Sequence, residues 1–358
     1  MNLNAAPSPA PLLGEGPDDS TRGLPSPPGR VAPDNVPFPM ETSQRAAGNV
    51  SGFKLVGLGE VLWDLLPGGR QAGGAPANFA YHAAALGADA RVISRVGDDA
   101  AGRDLVRRLA RLGVSVECIE RDSRAPTGTV SVAVGPDGQA RYTIHENVAW
   151  DFLAGEAAGR RAAETADAVC FGTLAQRGEV SRRTIRALLG LAPSRALRIV
   201  DVNLRQHYHS PEIIEESLGL ANVLKVNDAE LPQLAEMFRL AGDERAQVAG
   251  LSRRFRLRLV AYTRGERGSL LLDGEGRWSE EPGRPTRVAD TVGAGDSFTA
   301  ALAVGLLAGW PLDEVNRRAS VVAAYVCSQA GATPELPSQI SGPYKAIATG
   351  PRQPGAPS

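Results

Sequence analysis

Residues 75–113 read APANFAYHAAALGADARVISRVGDDAAGRDLVRRLARLG, and how they divide decides the fold. A helical pattern over 75–87 is followed by a short apolar strand, ARVISRV (90–96), and a second helical pattern over 100–113. Upstream, FKLVGL (53–58) is another apolar strand. The rhythm continues through DAVCFG (167–172), LRIVDVN (197–203), NVLKVN (222–227) and RLVAYTRG (258–265), each followed by a helix or turn signal. Strands alternating with helices predict an α/β domain whose sheet is mostly parallel and covered by helices on its faces. One segment breaks the pattern. TGTVSVAV-GPDG-QARYTIHE (127–146) is two alternating strands around a Gly-Pro-Asp-Gly turn. It reads either as a lid over the carboxyl ends of the strands or as an edge hairpin of the main sheet.

The 358 residues suffice for one large α/β domain or two average ones. Lysine and arginine total 39 against 40 acids, a formal charge of −1, so no overall field attracts nucleic acid or an anionic membrane. A small-molecule partner fits better. Cys118, Cys170 and Cys327 lie far apart without metal-ligand spacing, as expected of free thiols in a reducing compartment. No run approaches about 18 apolar residues and no basic stretch leads into an apolar signal core. A cytoplasmic protein is expected. Residues 1–50 and a tail from about Gly342, rich in Pro, Gly and Ser, are expected to be disordered, leaving a folded unit from about Phe53 to about Ile340.

Two stretches suggest chemistry. DTVGAGDSF (290–298) sets acids on either side of a Gly-Ala-Gly turn that enters a helix. Such a turn leaves backbone N–H groups pointing at one spot, which can hold a phosphate. A carboxylate at Asp296 beside that positive end is expected to stay ionised and to accept a proton from a neighbouring hydroxyl. The plainer reading is a helix cap, Asp290 or Thr291, with a tight glycine loop. GEVLWDLLPGG (59–69) places Asp64 on a short strand, and GGAPANFA (73–80) follows, where Gly73 and Gly74 permit close backbone approach and Asn78 projects from a first helical turn. An amide that both donates and accepts suits a polyol, although Asp64 and Asn78 also read as a solvated strand acid and a helix-start residue.

GGAPAN and DTVGAGDSF together resemble the two signatures of the ribokinase-like sugar kinases, the PfkB family, in order, spacing and intervening βα rhythm. The resemblance runs from about Lys54 to about Pro337. VDVNLRQHY (200–208) is similar to the Asp-x-Asn-x-Arg segment of the fructokinase and 2-keto-3-deoxygluconate kinase branch, and GEVLWDLLP resembles the opening of bacterial fructokinases. The resemblance implies a three-layer α/β/α fold with a mostly parallel central sheet and a small β-sheet lid. It implies an ATP-dependent kinase that uses Mg²⁺, acts most plausibly on fructose, and dimerises through the lid. Asp296 would be the general base, with Gly293, Ala294 and Gly295 offering N–H groups to the phosphoryl. Asp64, Gly73, Gly74 and Asn78 would hold sugar hydroxyls. Asn203, Arg205, Asn227, Glu230, Thr263, Gly265 and Gly268 would serve ATP, with Glu230 also ordering Mg²⁺ through water. Asp290, with backbone near Ala330–Ala332, would shape a site for a monovalent cation such as K⁺. No Walker sequence is present, so the helix-start turn replaces a P-loop.

Other residues stay open. Trp63 either packs on a sugar face or fills the lid. His145, Asn147, Gln176 and Arg177 are placed by their positions near the sugar. HYH (207–209) reads as a solvated turn rather than a zinc pair, and RRFRLR (253–258) as a surface run at a helix end. Competing functions are 2-keto-3-deoxygluconate kinase, ribokinase, nucleoside kinase, a sugar sensor without turnover, and a dinucleotide oxidoreductase, the last lacking G-x-G-x-x-G spacing.

Overall fold

The computed structural model describes residues 52–66, 68–134 and 140–346. The extension 1–50, the Gly-Pro-Asp-Gly turn (135–138) and the end of the tail lie outside the described residues. In chain order the strands are β1 (Lys54–Leu58), β2 (Leu62–Leu66), β3 (Gly69–Gly73), β4 (Asp89–Gly97), β5 (Ile119–Asp122), β6 (Thr129–Val134), β7 (Ala140–Ile144), β8 (Ala168–Phe171), β9 (Leu197–Asp201), β10 (Val223–Asn227), β11 (Leu259–Thr263), β12 (Ser269–Asp273) and β13 (Trp278–Glu281). The helices are α1 (Ala75–Ala85), α2 (Ala100–Arg111), α3 (Ala157–Glu164), α4 (Glu179–Leu191), α5 (Pro211–Leu220), α6 (Leu231–Phe238), α7 (Glu244–Phe255), α8 (Ala294–Leu307), α9 (Leu312–Cys327) and α10 (Ser338–Ala346).

Among the described residues the main sheet has nine strands in the order β13-β12-β11-β10-β9-β8-β1-β4-β5. Pairing is parallel except at β11–β12 and β12–β13. The central strands β1, β8, β9, β10 and β11 are apolar at most positions because both of their faces are covered. Val56, Leu58, Val169, Phe171, Val226 and Val260 pack on one side with Ile185, Leu188, Leu231, Leu234 and Leu251 from α4, α6 and α7. Leu55, Cys170, Ile199, Val223 and Ala261 pack on the other with Phe79, Leu105, Leu302 and Val322 from α1, α2, α8 and α9. Successive residues of a strand enter opposite clusters, which is the period of two expected of a strand between helix layers.

From β1 the chain passes to β4 and β5 on one side, then returns to β8 on the other side of β1. The strand order reverses there, so a crevice opens at the carboxyl ends of β1 and β8.

The hairpin β6–β7 is not an edge of the main sheet. It joins β2 and β3 in a separate four-stranded sheet, β3-β2-β6-β7. Cross-strand register sets Asp64 opposite Val130 and Val130 opposite Ile144, so these three share a face. Trp63 therefore points the other way, is buried at 6 % exposure, and donates Nε1–H to Ala101 O at 3.0 Å. Of the two readings left open, Trp63 fills the space between lid and α2.

The expected boundary at Ile340 is too early. α10 runs on to Ala346 because Tyr344, 1 % exposed, stacks on Trp310 with ring centroids 4.8 Å apart. An aromatic anchor outweighed the Gly-Pro composition of Gly342 and Pro343.

Candidate active site

α8 begins at the crevice. Gly293 precedes it with φ 78°, and a Cβ there would stand 2.5 Å from Ala332 O. Only glycine takes this left-handed turn against another backbone without strain. The first i→i−4 bond is donated by Ser297 N to Gly293 O, so the amides of the first turn precede the ladder. α1 starts alongside, after Gly74 at φ 108°, where a Cβ would run into Glu60 O. Asn78 in the first turn of α1 donates Nδ2–H to Asp296 Oδ2 at 2.8 Å. Two motifs far apart in the chain thus meet through one hydrogen bond.

Asp296 is partly buried, and its pKa is raised from 3.8 to about 6. Burial is the main cause and the Asp201 carboxylate adds to it; the Asn78 hydrogen bond, Lys225 and Arg205 pull the other way. Asp296 was expected to stay ionised beside the helix end; with a pKa of about 6 it is mostly charged at neutral pH, which suits a general base.

Asp64 lies on the lid face shared with Val130 and Ile144, with its pKa raised to about 6 by burial against the lowering influence of Arg205. Gly73 makes room for it, since a Cβ there would strike Asp64 Oδ2.

Beneath lie Asp201, the acid of the Asp-x-Asn-x-Arg segment to which no role was given, and two charged residues that the sequence did not single out, Lys225 and Glu60. Asp201 at the end of β9 and Lys225 within β10 are both buried, with Nζ 3.0 Å from Asp201 Oδ1. Thr299 Oγ1 lies 3.3 Å from Asp201 Oδ2. Burial alone would lower the Lys225 pKa, but Asp201 and Glu230 reverse this and raise it. A Cβ on Gly295 would lie 3.0 Å from Lys225 Nζ, so the pair sits directly under the first turn of α8. Asp201, Asp296 and Thr299 line the same small cavity as Ala75, Phe79 and Cys170. Glu60 follows β1, is 3 % exposed, and its Oε2 is buried without a partner. The available signal was a charge inside VLKVN or directly after FKLVGLG, runs that are otherwise apolar.

The expected nucleotide residues come from the neighbouring strand ends. Asn203 takes φ 46° after β9, and Arg205 is exposed yet close enough to act on Asp64, Glu60 and Asp296. Glu230 accepts from Leu204 N at 3.1 Å and Asn227 N at 3.0 Å, and Asn227 Oδ1 accepts from Glu230 N at 2.9 Å. Both Glu230 oxygens therefore brace the two loops, a donor set that suits contact with a hydrated Mg²⁺ through water better than direct ligation. Thr263 ends β11, and Gly265 (φ 55°) and Gly268 (φ 86°) form a tight turn whose backbone abuts Glu281 and Gly283. Asp290 Oδ1 accepts from Val292 N at 3.0 Å and Oδ2 from Gly331 N at 3.1 Å, which joins it to the 330–332 loop.

Gln176 is not a sugar contact of the kind expected. It is 1 % exposed, and its Nε2 donates to Gly172 O and Ser217 Oγ, both at 2.8 Å, because the turn after β8 tucks it between β8 and α5. Arg177 is engaged with Asp151 at 2.8 Å and with His145 O at 2.6 Å, stacked on Trp150. His145 Nε2 pairs with Ser131 Oγ on the lid, and Asn147 is exposed at φ 55°. His207 is exposed, and no cluster of three or more metal-ligating side chains occurs among the described residues. RRFRLR closes α7, with Arg256 in the left-handed C-cap.

The chain is similar to known carbohydrate kinases. The family model described as "pfkB family carbohydrate kinase" matches residues 67–339. A fructokinase of Klebsiella pneumoniae is 34 % identical over 80 % of this chain and 95 % of its own. A putative sugar kinase of Pyrococcus horikoshii is 30 % identical over 74 % of this chain and 83 % of its own. The crystal structure of an uncharacterized sugar kinase from that organism in complex with ATP superposes with a TM-score of 0.64 at 27 % identity, covering 78 % of this chain and 94 % of the other. A 2-dehydro-3-deoxygluconokinase of Thermotoga maritima, 18 % identical with a TM-score of 0.70, covers 82 % of this chain and 99 % of its own and shares the fold.

Proposed function

This chain belongs to the pfkB family of carbohydrate kinases, and from that premise we propose that it transfers the γ-phosphate of ATP to a hydroxyl of fructose. The observation that carries the reading is the hydrogen bond between Asn78 and Asp296 beside the Gly293–Gly295 turn. It joins a group suited to sugar hydroxyls, a base that ionises near pH 6, and a cradle for an anion. Asp64 and Asn78 orient the sugar, and Asp296 removes the proton of the attacking hydroxyl. The first-turn amides of α8 meet the charge on the phosphoryl. Alignment and neutralised charge are the main needs of phosphoryl transfer.

Asn203, Arg205, Asn227, Thr263, Gly265 and Gly268 hold the triphosphate side in this reading. Glu230 would meet Mg²⁺ through water, and the bound ion would supply neutralisation of phosphate charge. Asp290 and the 330–332 backbone favour a K⁺ site, tested by comparing turnover in K⁺ and Li⁺ salts. Dimerisation through the lid would cover Leu65, 38 % exposed on β2, and is tested by light scattering.

Fructose rests on the fructokinase relatives and on Arg177 and Lys225 being held by Asp151 and Asp201, so that neither is offered to an acidic sugar. ADP release across fructose, 2-keto-3-deoxygluconate, ribose and adenosine tests this. Highest kcat/KM with another acceptor overturns the substrate, and no release with any sugar overturns the kinase reading.

A further inference from the structure

Glu60 is a buried acid that the mechanism above does not use, and one of its carboxyl oxygens has no partner. It stands just past the carboxyl end of β1, where the strand order reverses, and is 3 % exposed. Gly74 at φ 108° abuts its backbone, where a Cβ would strike Glu60 O. Its Oε2 is inaccessible to water and has no hydrogen-bond partner. A buried ionised carboxylate with an empty oxygen is strongly unfavourable, whereas a protonated carboxyl tolerates the same place. The charged groups acting on it are Asp296 from α8 and Arg205 from the loop after β9, with N–H groups of Glu60 itself and of Ala75 from α1.

We propose that Glu60 is a positioning residue that retains a proton near neutral pH, so that the acid pair Glu60–Asp296 presents one negative charge, on Asp296, to the acceptor hydroxyl. The geometry and the titration agree. Burial first, opposed by its own backbone N–H and reinforced by Asp296, raises the Glu60 pKa from 4.5 to about 7, above the value of about 6 for Asp296. Asp296, whose Oδ2 accepts from Asn78, is the acid favoured to ionise, while burial without a partner for Oε2 keeps the proton on Glu60 and the Asp296 charge only adds to it. Losing that second proton sets another negative charge beside the anion cradle, where it opposes the incoming triphosphate. The two apparent constants belong to the pair. The catalytic consequence rests on Asp296 acting as the base; the protonation of Glu60 does not.

The test is kcat/KM for sugar from pH 5 to 9 in wild type, Glu60→Gln and Glu60→Asp, with infrared spectra of the protonated-carboxyl band in each and in Asp296→Asn. The wild-type profile is expected to rise near pH 6 and to fall about tenfold per unit above the second constant. Glu60→Gln should abolish the falling limb and Glu60→Asp should keep one. The band at pH 6.5 should persist in Asp296→Asn and be reduced in Glu60→Gln, where only the partly protonated Asp64 and Asp296 still contribute. An unchanged falling limb in Glu60→Gln, or an equal loss at every pH, overturns the proposal. So does a wild-type band that vanishes in Asp296→Asn, a result readable without any sugar turnover and even if Glu60→Gln does not fold.

Discussion

Replacing Asp296 by Asn tests catalysis and stability with one change. The amide keeps an oxygen for the Asn78 Nδ2–H but cannot take a proton from a hydroxyl. Turnover should fall about 10²- to 10⁴-fold, the range for a positioned base, with KM for ATP little changed. Stability should move the other way. The folded protein holds the Asp296 proton more tightly than the unfolded chain, since the pKa rises from 3.8 to about 6. Such a group favours folding below its unfolded value, and that advantage is lost as pH rises towards the folded value. At pH 7 the buried charge therefore opposes folding by up to about 3 kcal/mol. Asp296→Asn should relieve part of this, giving a gain of about 1–3 kcal/mol in urea unfolding at pH 7 and none near pH 3.5. Turnover within threefold of wild type would refute the base, and a stability difference independent of pH would refute the electrostatic account.

Asn78→Ala removes the hydrogen bond that lowers the Asp296 pKa, so the acid limb of kcat/KM should move to higher pH, with a rise in sugar KM. An unmoved limb counts against the contact. Gly293→Ala forces a Cβ onto Ala332 in a left-handed turn and should destabilise the protein by about 1–3 kcal/mol in denaturant titration while lowering kcat. Lys225→Met leaves Asp201 buried without its cation and should destabilise by about 3–5 kcal/mol; Asp201→Asn in the same chain should restore most of that, as a double-mutant cycle will read.

The apolar runs and the helical patterns between them determined the layered α/β architecture by themselves. A strand that is apolar at every position has no solvated face, and only helices on both sides can satisfy it. The Gly-Ala-Gly entry into α8 and the Gly-Gly entry into α1 were equally legible, because left-handed turns at helix starts demand small residues locally. Tertiary structure alone decided which side chains converge. Asp201 and Lys225 come from the adjacent strands β9 and β10, and Glu60 follows β1 on the far side of β8, an arrangement that depends on strand order rather than on chain distance. Gln176 and Trp63 turned away from the crevice because packing against α5 and α2 chose their direction. The proton affinity of Asp296 followed from burial beside another carboxylate, a property of the assembled site that no local spacing carries.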